Sequence, residues 1–72
     1  MTMNPIHKWL KANKVTQQQF AEMVGVTQGL VSYWKLGHGV PNPENSIQIE
    51  KVTKGELKAD LFHPRLFKGF RE

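Results

Sequence analysis

Apolar residues along the chain fall into clusters with helical spacing, and polar caps or Gly and Pro separate them. Ile6, Trp9 and Leu10 recur at i, i+3 and i+4, the mark of one buried helical face. Asn4-Pro5 in front of them supplies a cap for free N–H groups and a residue preset for a first helical turn. This first helix is expected to fray near Asn13-Lys14, with Lys8 and Lys11 solvated off the apolar face. Thr16-Gln17-Gln18-Gln19 is a capping box that opens a short helix with Phe20, Ala21 and Val24 inward. Gly25 ends it, because the residue after a helix often needs a left-handed backbone. Thr27 caps a third helix, whose inward residues are Leu30, Val31 and Trp34 and whose other side carries Gln28, Gly29, Ser32 and Tyr33. With two Gly and a Pro, Leu36 to Asn42 reads as loop. Asn42-Pro43-Glu44 repeats the cap-plus-Pro opening, and a fourth helix runs to about Thr53 with Ile49 and Val52 inward and Gly55 closing it. Asp60-Leu61-Phe62 and Pro64-Arg65-Leu66-Phe67 read as short helical turns laid back on the core, followed by a loose tail at 68–72.

The fold expected from this pattern is all-α: a small single domain over residues 1–72, built of four to five short helices. Trp9, Phe20, Val31, Trp34 and Ile49 are expected in one core. An extended hairpin after Gly55 is the alternative for the region that reads least clearly.

Composition narrows the function classes. A chain of 72 residues hides only about 60% of the surface its unfolded form exposes, which leaves no room for a deep cleft with supporting layers. There is no cysteine, so neither a disulfide framework nor a thiolate zinc site is available and a reducing cytosol is the natural setting. His7, His38 and His63 have no ligand-like spacing, Gly37-His38-Gly39 lacks the Lys-Ser/Thr of a phosphate loop, and the carboxylates show no pairing. No enzyme, no cofactor and no metal are therefore expected. No apolar run reaches the ~20 residues of a membrane span, so the chain reads as soluble and cytoplasmic. Ten Lys and Arg against six Asp and Glu give a formal charge of +4, which favours a polyanionic partner.

Two short helices joined by a Gly-containing turn make a helix-turn-helix, and residues 17–36 meet its demands. Ala21 is small where the next helix crosses above it, and Gly25 supplies the turn. Val26, Val31 and Trp34 fill the seam, Leu30 turns toward the other helices, and Glu22 and Lys35 stay outside.

In these residues the chain resembles the lambdoid phage Cro and CI-type repressors, with Gln18, Ala21, Gly25, Val31 and Trp34 in place. The continuation from Pro43 to Gly55, then Leu61, Pro64 and Phe67, is similar to the YdaS-like branch of Cro-type prophage regulators. The resemblance spans roughly Pro5 to Phe67. It implies a lambda-repressor-like helical domain that binds an operator as a two-fold dimer and represses transcription in the cytoplasm of a bacterial host, at the nucleoid. Gly29 departs from the pattern, since relatives often carry a polar base-reading side chain there. So does the aromatic tail after Phe67.

Residue chemistry points the same way. A recognition helix enters the major groove with its N-terminal residues at base edges. Here those are Thr27, Gln28 and Gly29, with Ser32 and Tyr33 one turn on. Gln28 suits bidentate contact with adenine. Gln17 and Gln18, opening the preceding helix, are placed for phosphate, and Lys35 and His38 reach phosphates at the recognition helix's exit. The plainer readings are a solvated Gln28 and Ser32, a Tyr33 packed on the surface, and Lys8, Lys11 and Lys14 as a solvated face. The expected partner is operator DNA, bound by a weak homodimer that DNA tightens. The alternative is a protein-interaction module, such as an antitoxin or antirepressor, docking through Phe62, Phe67 and Phe70 interleaved with Lys68 and Arg71. Single-stranded RNA binding ranks last, since it needs an exposed aromatic platform.

Overall fold

The computed structural model describes residues 4–67. Five α-helices and one 3-10 turn follow in order: α1 (Pro5–Asn13), α2 (Gln17–Val24), α3 (Gln28–Lys35), α4 (Pro43–Val52), the 3-10 turn Ala59–Leu61, and α5 (Pro64–Phe67). No strand occurs among the described residues, so the hairpin alternative falls: the region after Gly55 is helical turn and loop. The expected tail at 68–72, with Lys68, Phe70 and Arg71, lies outside the described residues, as does the side chain of Phe67.

Each of α1 to α4 begins where its cap stands. The Asn4 side chain accepts from the Ile6 N–H at 2.9 Å, Thr27 Oγ1 from Leu30 at 3.2 Å, and Asn42 from Asn45 at 2.7 Å. Thr16 and Gln19 form the reciprocal capping box, with bonds of 3.0 and 2.9 Å. Helix ends share one device as well. The second residue past α1 and α2, and the third past α3 and α4, donates its N–H to the carbonyl five residues back: Val15 to Leu10, Val26 to Ala21, His38 to Tyr33 and Gly55 to Glu50. Between donor and helix sits a residue in the left-handed region, Lys14, Gly25, Gly37 and Lys54 in turn.

The chain divides into two compact units, Met1–Val40 and Pro41–Glu72. In the first, α2 and α1 both pack on α3. Its buried apolar residues are Ile6, Leu10, Phe20, Ala21, Val24, Val31 and Trp34. Full burial of a side chain such as Phe20 or Val31 is worth about 1.5–3 kcal/mol. Trp9 was expected in this core and is only half-buried, its ring 5.6 Å from the Phe20 ring of α2. Val26, expected in the seam, and Leu30, expected to turn toward the other helices, are likewise half-buried.

In the second unit the 3-10 turn packs against α4 and α5, and the buried apolar residues are Ile49, Leu57 and Ala59. Val52 is half-buried; the next residue, Thr53, takes the inward place at 1% exposure. Leu61 and Leu66, expected to lie back on the core, are 50% and 59% exposed, because the turn directs Leu57 and Ala59 inward instead. Polar ties fix this segment. Thr53 Oγ1 donates to the Ile49 carbonyl at 2.8 Å and accepts from the Leu57 N–H at 3.1 Å. A Glu50 carboxylate oxygen accepts from the Ala59 N–H at 2.7 Å. The buried Pro41 carries a carbonyl that accepts from Ser46 Oγ at 3.2 Å and from His63 Nε2 at 2.6 Å. Since a carbonyl only accepts, this bond assigns the His63 proton to Nε2.

Candidate nucleic-acid interface

Every residue expected at the interface lies in the first unit, on α2, on α3 or in the turns on either side of α3. The left-handed Gly25 reverses the chain between α2 and α3, its N–H and that of Val26 both reaching the Ala21 carbonyl at 2.8 and 2.9 Å. Burial of Ala21, Val31 and Trp34 holds the two helices together, so α3 has one side committed to the core. At its far end the Asn4 amide donates to the Trp34 carbonyl at 2.9 Å, tying the start of α1 to the end of α3. Such a bond contributes about 1 kcal/mol and, more to the point here, fixes the direction of α3.

The outward side of α3 carries the expected contact residues. Thr27, Gln28 and Gly29 are exposed, and the Thr27 hydroxyl oxygen is already engaged as the cap of α3. Gln28 and Ser32 share one helical face at i, i+4, with Ser32 half-buried. Tyr33 is 49% exposed, and its ring lies 5.8 Å from the imidazole of the exposed His38.

A second group forms around the start of α2. His7, Lys11, Lys14, Thr16, Gln17 and Lys35 line an open hollow of about 480 Å³. Gln17 and Lys35 thus come together, while the exposed Gln18 does not line this hollow. The N–H groups of a first helical turn have no intrahelical carbonyl to reach, so the start of α2 adds partial positive charge to that of the three lysines. His7 is not singled out by the sequence as a contact, and Lys11 and Lys14 read there as a solvated face. His7 and Lys11 share one face of α1, with Lys14 at the left-handed turn just past it; that they meet Lys35 depends on α1 packing on α3. Among the described residues no group of three or more His, Asp or Glu could hold a metal ion, and no helix is long and apolar enough to cross a membrane.

A short helix with a polar outer side, set by a Gly turn on a second helix and flanked by lysines, defines a helix-turn-helix module. The helix-turn-helix family matches residues 6–58, well over half of the chain, and the chain belongs to this family of Cro/CI-type DNA-binding transcription regulators. The family is generally non-enzymatic. No curated protein and no solved structure gives a match.

Proposed function

We propose that the chain is a sequence-specific, Cro-like repressor of a phage or prophage, of the YdaS-like branch, working in a bacterial host's cytoplasm as one DNA-binding domain without cofactor, metal or catalytic activity. The observation that carries this reading is the exposed Gln28, with half-buried Ser32 on the same face of α3, standing on a module whose α2 start is ringed by Lys11, Lys14 and Lys35. Gln28 reads an adenine edge, since it sits in the first turn of α3 and offers both donor and acceptor. Thr27, Gly29, Ser32 and Tyr33 complete the base-facing side. Gln17, Gln18, Lys35 and His38 hold phosphates, joined by Lys11 and Lys14.

A weak homodimer, tightened by DNA, presents two such helices to half-sites about one helical turn apart. Leu36 and Val40, 65% and 58% exposed just after α3, supply apolar surface for that contact. The direct test is binding to the DNA upstream of the protein's own gene against a scrambled duplex at one stated salt concentration. The specific site should bind at least ~10³-fold tighter. Equal affinity for both duplexes contradicts specific readout, and sedimentation finding one copy per complete operator contradicts the dimer.

A further inference from the structure

Tyr33 is exposed yet seated. Its ring lies over Gly39 so closely that a Cβ at residue 39 would stand 2.5 Å from Cε2 and 3.2 Å from both Cζ and the hydroxyl oxygen. The backbone at Gly39 does not demand glycine, because its φ, unlike that of Gly37, is outside the left-handed region. The ring above it does. His38 borders the same ring, its imidazole tilted 40° to it at 5.8 Å. The loop beneath is tied to the end of α3 itself: the His38 N–H donates to the Tyr33 carbonyl at 3.1 Å and the Gly37 N–H to the Trp34 carbonyl at 3.0 Å.

We infer that Gly39 is a positioning residue for DNA recognition, which together with His38 fixes the Tyr33 ring at the end of α3 as a preset contact. The inference rests on the reading of α3 as the DNA-facing helix and names what orients one of its side chains. A half-exposed tyrosine free to swing loses rotamer freedom when it docks, and seating the ring beforehand removes that cost from binding. The three atoms nearest an added methyl at residue 39 all belong to the far end of this side chain, so the ring is expected to swing off its seat while the fold persists.

The test is a double-mutant cycle of Gly39→Ala and Tyr33→Ala, with each variant titrated on the upstream DNA and on the scrambled duplex at one salt concentration. Proton NMR of the Gly39 Hα resonances reports the seated ring, through a ring-current shift that Tyr33→Ala abolishes. Gly39→Ala is expected to unseat the ring, keep the thermal transition of the wild type and weaken specific binding about two- to tenfold. In the Tyr33→Ala background it should have no further effect. The same loss in both backgrounds overturns the inference, as does full affinity in Gly39→Ala when Tyr33→Ala is weakened. If Tyr33→Ala leaves binding intact, the contact reading of Tyr33 fails and takes the inference with it. A wild type without preference for the upstream DNA marks failure of the repressor reading instead, and the NMR shift still reports whether the ring is seated.

Discussion

Replacing Gly29 by Ala should make the protein more stable and a poorer DNA binder. Gly29 is the second residue of α3, it is exposed, and a Cβ there would meet nothing within 4 Å. Its φ is not positive, so nothing in the free protein calls for glycine. Glycine in a helix costs about 0.5–1 kcal/mol relative to alanine, and the low end applies in a first turn. At about 4–8 °C per kcal/mol for a domain of this size, the melting temperature should rise by about 2–4 °C. In the groove the sign reverses. If the backbone of α3 approaches the base edges at Gly29, one methyl overpacks the contact by about 1–3 kcal/mol, and specific affinity falls roughly 5- to 150-fold. Calorimetry of the free variant and fluorescence anisotropy on the upstream duplex measure the two halves separately. A stabilised variant with unchanged affinity would show that the start of α3 does not lie close against DNA. A destabilised variant would contradict the open surroundings of residue 29.

Two further substitutions probe the scaffold. Gly25→Ala adds a Cβ with open space around it, so its cost is left-handed backbone strain of ~1–2 kcal/mol, offset by ~0.4–1 kcal/mol from a less flexible unfolded chain; urea titration should show a net loss near 1 kcal/mol, and no loss would contradict that strain. Thr53→Val keeps the side-chain shape but strands the buried Leu57 N–H, which should cost about 1–3 kcal/mol in the same titration, whereas a loss below ~0.5 kcal/mol would mean that the Thr53–Leu57 bond holds nothing.

Helix starts were legible in the sequence because capping is local. Asn4, Thr16, Thr27 and Asn42 each satisfy an N–H two or three residues on, and no tertiary contact is needed to form such a bond. Helix ends were legible too, that of α1 at Asn13-Lys14 without any glycine, but the left-handed backbone that closes them was legible only where glycine marks it. Lys14 and Lys54 hold the same left-handed conformation as Gly25 and Gly37, and the closing hydrogen bonds offset the strain in a way that residue type does not announce. Burial was harder still, since it depends on which helix passes where. Trp9 sits on an apolar stripe yet is only half-buried, while Ser46 and Thr53 look solvent-facing by type and are fully enclosed with their hydroxyls bonded to carbonyls. The exposed side of α3 could be read in advance, because a short helix with Val31 and Trp34 inward leaves Gln28 and Gly29 outside. The gathering of Lys11, Lys14 and Lys35 could not, since it joins two helices distant in sequence.

The central claim, that α3 reads bases while its lysine holds phosphate, is tested most directly by comparing Gln28→Ala with Lys35→Ala across operator variants and salt concentrations. Gln28→Ala should cost about 1–3 kcal/mol per half-site on the preferred operator and loosen preference at one base pair, leaving nonspecific binding unchanged. Lys35→Ala should weaken all sequences alike and lower the salt slope by about one per half-site. Unchanged base preference in Gln28→Ala would move readout to Ser32, Tyr33 or DNA shape. Unchanged DNA affinity in both variants would contradict the claim outright and leave this surface to a protein partner.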